Sequence, residues 1–341
     1  ICVSRIHRSS FCLSCSPDQP YRMKAAFLDY ATVGSDELDL SPLEALTDEL
    51  LIYDNTRADE AAARIDGCEF VYINKVRMTR EILESAGSLR FIGLLATGVD
   101  NVDLEAARDR GIAVCNIRAY CTNSVVEHVF GVLLNIAHSI GQFHESVRRG
   151  EWQQGATFCM LDHPIRELAA MTIGIVGHGE LGRGVARLAS AFGMQVLISK
   201  RPGSPGDTPA DRLEFEDVLR KADVLSLHCP LTEETRNLIG AHELRLMKPS
   251  AILVNTARGA LVDSGALVDA LKTGTISAAA IDVLRVEPPV DGDPLLDYRG
   301  NNLIVTPHIA WATSEARQNA VNEVAANVRA FLSGGDRNRV V

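Results

Sequence analysis

Arg258, Glu287 and His308 are the residues of this chain best suited by type and setting to reaction chemistry. A guanidinium forks onto a carboxylate through paired N–H donors, so Arg258, in Thr256-Ala257-Arg258-Gly259, suits an anionic acid. An imidazole exchanges a proton near neutral pH, and a carboxylate on its second nitrogen fixes the tautomer. His308, in Thr306-Pro307-His308, and Glu287, before Pro288-Pro289, supply those two groups. Asp282 closes an apolar run and can accept from a carboxamide. A glycine turn completes the set. The apolar run Thr172–Val176 passes into Gly177-His178-Gly179-Glu180-Leu181-Gly182, spaced G-x-G-x-x-G, and then into a helical pattern through Val185, Leu188, Ala189 and Phe192. In such a strand, turn and helix, Gly177 makes the turn, Gly179 admits a pyrophosphate and Gly182 lets helix close on strand. The helix N-terminus adds free N–H groups for the phosphates.

These residues need strand ends to stand on. From Met23 to about Tyr120, apolar runs at 25–28, 50–53, 70–73, 91–95 and 112–115 alternate with helical patterns. Continuous apolar strands between helices predict an α/β domain with a parallel sheet covered on both faces. Ligands of such sheets lie beyond the carboxyl ends of the strands. Asn74-Lys75 and Ala96-Thr97-Gly98-Val99-Asp100 fall there, with Arg118 a further candidate, and the glycine-bearing segment offers backbone donors to an anion. Ser124-Val125-Val126-Glu127 is a capping box that opens a long helix with Val126, Val129, Phe130, Leu133, Leu134, Ala137 and Ile140 on one face. Its His128 reads as structural. Residues 151–170 read as a connecting loop with a short helix near 165–168.

The glycine turn opens a second set of strands, at 195–199, Val224–Leu227, 251–254, 278–282 and Leu303–Val305, with helices between. That repetition predicts a doubly wound sheet of the dinucleotide type. A last helix, with Val321, Val324, Ala325, Val328, Phe331 and Leu332 on one face, is expected to return to the first domain, after which the tail frays. The expected division is 23–120 with 313–341 as a discontinuous first domain, and 121–312 as the second. Residues 1–22 are Arg/Ser/Cys-rich and precede Met23, so they are expected to lie outside the fold.

The 341 residues are 46% hydrophobic and 23% charged, with a net charge of −10, which speaks against nucleic acid or an anionic membrane as partner. No stretch reaches the length of a membrane span. Eight scattered cysteines suit a reducing, cytoplasmic setting. Cys12 and Cys15 form a C-x-x-C without a second pair at zinc spacing, so no metal is expected.

The strand at 195–199 ends in Lys200-Arg201, where an acidic residue usually meets the ribose of NAD. Two cations and no carboxylate there favour NADP(H) over NAD(H).

Several long motifs resemble the D-isomer-specific 2-hydroxyacid dehydrogenases. They are Leu225-Ser226-Leu227-His228-Cys229-Pro230-Leu231-Thr232-Glu233-Glu234-Thr235, Met247-Lys248-Pro249 through Asn255-Thr256-Ala257-Arg258-Gly259-Ala260-Leu261-Val262-Asp263, Asp282-Val283 with Glu287-Pro288, and Thr306-Pro307-His308-Ile309-Ala310. Phe158-Cys159, Asp162-His163-Pro164-Ile165 and Glu167-Leu168 are similar to the glycerate dehydrogenase, or hydroxypyruvate reductase, branch. The resemblance implies a Rossmann coenzyme domain hinged to a flavodoxin-like substrate domain, NAD(P) as cofactor, and a homodimer. It implies Arg258 for the substrate carboxylate, His308 as acid/base, Glu287 as its partner, and the Thr97-Gly98 backbone for the substrate, beside which Asn74 and Lys75 are candidates by their place at a strand end. Coenzyme contacts are implied for Gly177, Gly179, Glu180, Leu181, Gly182, Ser199, Lys200, Arg201, His228, Pro230, Thr235, Thr256, Ala257 and Asp282. The branch often carries an acid where Lys200 stands, a departure that again favours NADP(H). The implied activity is reversible reduction of a small 2-oxo acid to the D-2-hydroxy acid. Another D-2-hydroxy acid as substrate, or a nucleotide-sensing corepressor on the same scaffold, is the alternative.

Overall fold

The computed structural model describes residues 4–5 (backbone only), 23–34, 37–203, 206 and 208–341. The chain divides into two compact units, 1–121 with 312–341, and 122–311. Cys12 and Cys15, with the zinc reading placed on them, lie outside the described residues.

The first unit is a six-stranded sheet of β1 (Ser4–Arg5), β2 (Lys24–Phe27), β3 (Glu49–Ile52), β4 (Phe70–Ile73), β5 (Phe91–Leu94) and β6 (Ala113–Cys115), in the order β1-β3-β2-β4-β5-β6. Strands β2 to β6 are parallel in the flavodoxin-like order, with the reversal of winding between β2 and β4. Their side chains are buried on both faces, as the unbroken apolar runs require. The helix Ser314–Leu332 packs on β5 at Gly93, where a Cβ would stand 2.8 Å from Val324. Phe331 sets its ring edge-on to Phe70.

Two expectations at the chain ends are corrected here. Ser4 and Arg5 pair antiparallel with Ile52 and Leu51, so part of 1–22 joins the sheet. The tail does not fray: Val340 N–H donates to Val114 O at 2.7 Å, and Cys115 bridges Arg339. Both additions have one cause. β3 and β6 would otherwise be edge strands, whose unpaired N–H and C=O groups accept any extended segment within reach.

The second unit holds β7 (Thr172–Val176), β8 (Gln195–Ile198), β9 (Val224–Leu227), β10 (Ile252–Asn255), β11 (Ala278–Ile281) and β12 (Leu303–Val305), all parallel, in the order β12-β11-β10-β9-β7-β8. Winding reverses between β7 and β9, and the crevice of such a sheet opens beyond their carboxyl ends. The glycine turn follows β7, and His228 follows β9. The expected long helix is two. Thr122–Ala137 stops, Ser139 takes a left-handed φ of 52°, and Ile140–Arg148 starts anew, so Ile140 is exposed and not on the buried face. The loop expected at 151–170 carries a helical turn at Glu151–Gln154, and its short helix falls at Leu168–Ala170. No single helix among the described residues is long and apolar enough to cross a membrane.

Candidate active site

Three strand-end segments of the second unit carry the reactive side chains. After β12, His308 adopts φ +56°, a region costly for any residue with a Cβ, on the order of 1 kcal/mol or more. Its Nδ1 lies 2.6 Å from Glu287 Oε2. The carboxylate keeps the proton on Nδ1 and leaves Nε2 as the nitrogen that exchanges a proton with a ligand. Glu287 is itself held, with Oε1 accepting from Leu284 N–H at 2.7 Å. The Arg258 turn packs on the same backbone: a Cβ at Gly259 would fall 2.0 Å from Leu284 C. Asn255, at the end of β10, braces the turn, accepting from Ala257 N–H at 3.0 Å and donating to Arg258 O at 2.9 Å. Arg258 is exposed, and its side chain bonds only Ala257 O and makes no ion pair among the described residues. It is available to an anionic ligand.

The residues of the second unit fit a dinucleotide. A Cβ at Gly177, where φ is +98°, would lie 2.5 Å from Cys229 N, and one at Gly182 2.0 Å from Gly177 O. A Cβ at Gly179 meets nothing within 4 Å, so the turn is closed on the protein side and open where a phosphate would approach. Behind it Glu180, which accepts from Thr122 Oγ1, and Leu181 open the helix Glu180–Ala191. Two buried polar atoms at the same sheet edge, His228 Nδ1 and Thr256 Oγ1, find no partner among the described residues. Thr235 serves the backbone, accepting from Thr232 N–H at 2.7 Å and donating to Pro230 O at 2.8 Å.

Burial drives the His228 pKa down to about 4, from an ordinary 6.5, while its Nε2 bonds Ser226 Oγ at 2.8 Å. Between those two values the unfolded chain binds a proton that the folded chain refuses. Stability contributed by this residue is therefore intact above pH 6.5 and falls as pH drops towards 4, by up to about 3 kcal/mol. Chemical denaturation of the wild type at neutral and acid pH is expected to show that loss, and His228→Gln to show a shallower one. An unchanged slope in the variant would count against the burial of a neutral imidazole.

Lys200 and Arg201 depart from expectation. Lys200 Nζ donates to Gly206 O at 2.6 Å and pairs with Glu214 Oε1 at 3.3 Å. Glu214 also accepts from Thr208, and these two bonds hold its carboxyl below the usual range. A carboxylate thus does stand at the corner, brought from a later turn, and pairs with Lys200. Arg201 is exposed and near enough to Glu234 to help lower that acid. Ser199 is buried and bonds Lys200 O at 2.8 Å. Asp282 is also buried, and three donors of the 306–310 segment already bind its carboxylate, which leaves little capacity for a carboxamide.

In the first unit, Asn74 is corrected. It is buried, and its amide donates to Thr32 Oγ1 at 3.0 Å, so it does not line an open surface. The cause is Asp29 at the end of β2, which sequence reasoning missed. Its carboxylate accepts from Asn74, Lys75 and Val76 N–H and pulls that loop inward. Burial pushes the Asp29 carboxyl above its usual range, and the three N–H donors hold it partly back. The Lys75 side chain stays exposed. Thr97 Oγ1 donates to Ile117 O at 3.0 Å, and Thr97 O accepts from Asn116 at 2.7 Å. The Thr97 and Gly98 N–H groups have no partner among the described residues. Arg118 is exposed. A cavity of about 720 Å³ in the second unit lies where β10 and β11 begin, at the edge opposite the chemistry, and plays no part in this site.

The strand ends of the second unit's parallel sheet thus carry an open glycine turn, an exposed arginine and a carboxylate-backed imidazole. Comparison with known proteins gives the family. The profile of the D-isomer specific 2-hydroxyacid dehydrogenase NAD binding domain matches residues 130–310. Glycerate dehydrogenase of Methylorubrum extorquens is 46% identical over 283 residues, 83% of this chain and 88% of that one. Hydroxypyruvate reductase of Blautia hydrogenotrophica is 36% identical over 323 residues, 93% of this chain and 99% of that one. A crystal structure of a Thermus thermophilus protein superposes with a TM-score of 0.80 at 34% identity, covering 94% of this chain and all of that one. The chain belongs to the D-isomer specific 2-hydroxyacid dehydrogenases. It is an oxidoreductase that uses NAD(P) and acts on the CH–OH group of small 2-hydroxy acids, or on the carbonyl of the 2-oxo acids.

Proposed function

We propose that the enzyme reduces hydroxypyruvate and glyoxylate to D-glycerate and glycolate. The observation that carries this reading is the His308–Glu287 pair, with the exposed Arg258, in no ion pair among the described residues, on a turn packed against the backbone that holds Glu287. Arg258 binds the substrate carboxylate as a fork. In the first unit, the unpaired N–H groups of Thr97 and Gly98, with the Lys75 side chain, are the proposed substrate contacts. Bound NAD(P)H supplies the hydride to the carbonyl carbon. His308, protonated, gives the Nε2 proton to the developing alkoxide, and Glu287 steadies the imidazolium. In the reverse direction neutral His308 takes the hydroxyl proton. The names of the two curated relatives support hydroxypyruvate and glycerate as the substrate pair. We propose a preference for NADP(H), on the cationic pair Lys200-Arg201 that follows β8. We also propose a homodimer in the cytoplasm. Trp152, Phe158, Leu161 and Ile165 are exposed large apolar residues within one short segment, as a covered face requires.

The test is steady-state turnover of hydroxypyruvate, glyoxylate and pyruvate with NADH and with NADPH. Consumption of reduced nicotinamide on adding hydroxypyruvate, faster with NADPH, is expected. Dinucleotide binding without turnover of any of the three would instead mark a sensing protein.

A further inference from the structure

The segment that carries His308 is fastened at each backbone N–H from 308 to 310 and at the carbonyls of His308 and Ala310. His308 N–H donates to Asp282 O at 2.8 Å, and its carbonyl accepts from Trp311 Nε1 at 2.9 Å. Ile309 N–H donates to Asp282 Oδ1 and Ala310 N–H to Oδ2, each at 2.9 Å. Ala310 O accepts from the buried Ser124 hydroxyl at 2.7 Å. Asp282 is thus the hub, and it too is held. Thr306 Oγ1 lies 2.5 Å from Asp282 Oδ1 and 3.3 Å from His128 Nε2. The hydroxyl has one proton, and the short bond to the carboxylate takes it. The threonine oxygen must then accept from His128, which fixes the hydrogen on Nε2.

We infer that Thr306 and Asp282, ordered by His128, are positioning residues that hold His308 in its left-handed backbone conformation and aim its imidazole. The inference rests on the reading of His308 as proton donor. A residue kept at φ +56° has no local preference for that conformation, so its surroundings must impose it. Without the clamp, the backbone is free to relax and the imidazole to swing from both Glu287 and the carbonyl it serves. His128 read as merely structural from the sequence; the structure gives it this role.

The test removes one hydroxyl. Thr306→Val is expected to lower kcat for oxo acid reduction about 30- to 100-fold, the effect of misplacing a catalytic group by about 1 Å. Dinucleotide affinity, measured by fluorescence titration, should stay within about twofold because the glycine cradle is untouched. The solvent deuterium isotope effect on kcat should rise, since proton delivery becomes the slow step. Thr306→Ser should restore kcat to within about threefold by returning the hydroxyl. Thr306→Ala removes the same hydroxyl and carries the test should the valine variant not fold. The clamp is overturned if kcat in the hydroxyl-free variant stays within twofold of wild type. It is equally overturned if the loss comes with a matching loss of dinucleotide affinity and no change in isotope effect, which would assign Asp282 and Thr306 to the cofactor. Failure of the underlying reading is separate, since it would appear as turnover surviving the loss of His308 itself.

Discussion

His308→Gln is expected to lower the rate of hydroxypyruvate reduction about a thousandfold, within the range measured for loss of a general acid. Glutamine spans similar space and can still hydrogen-bond, but it cannot deliver a proton to an alkoxide. The pair geometry sets the direction of every companion effect. Nδ1 of His308 is committed to Glu287 at 2.6 Å, so only Nε2 remains for the substrate. Glu287→Gln keeps a partner for Nδ1 while removing the charge that favours imidazolium. Its expected loss is smaller, about 10- to 100-fold. Reduction needs the protonated ring and oxidation the neutral one, so the loss should appear in both directions. Steady-state rates in both directions provide the measurement, with a melting curve to show that the variant folds. Near wild-type turnover would remove His308 from the chemistry.

How legible this was in the sequence differs by element. The parallel strands are plain in the sequence because each is an unbroken apolar run between helices, and those runs place Arg258, Glu287 and His308 near strand ends. Local pattern fails where a residue's partner comes from far along the chain. Asp29 looks like a helix cap beside β2, yet it binds a loop some 45 residues later. Lys200 looks like a free cation because Glu214 lies beyond a Pro/Gly-rich turn. Asn74 stands at a strand end, where ligands are expected, but its loop is turned inward by Asp29. Edge effects are invisible for the same reason: the tail at 339–341 has a weak pattern of its own and gains its structure from the open side of β6. Asn255 was detectable. An Asn two residues before the N–H it accepts is a common local brace, and here it sits just ahead of the reactive arginine.

Gly179→Ala separates the cradle's structural role from its binding role. The three glycines of the turn are not equivalent. A methyl at Gly182 would press within 2.0 Å of Gly177 O, and one at Gly177 would meet Cys229 N at 2.5 Å in a conformation that L residues resist. Substitution at either must move backbone, so lost binding in those variants says little about the ligand. Gly179 has φ −74° and ψ −156°, open to alanine, and its Cβ would enter empty space. The fold should therefore be indifferent, with stability changed by less than about 1 kcal/mol. The methyl nevertheless stands at the N-terminus of the helix Glu180–Ala191, where pyrophosphate would receive backbone N–H bonds. Hydrogen bonds to a charged group contribute about 1.5–3 kcal/mol, so losing one or lengthening several should raise the dinucleotide Kd about 10- to 100-fold. Fluorescence titration with NADH and NADPH, beside thermal melting, reads both quantities on one sample. An unchanged Kd for both dinucleotides in a fully folded Gly179→Ala variant would mean that the phosphates bind elsewhere. A weakened Kd with an unchanged melting curve would place them at the open side of this turn.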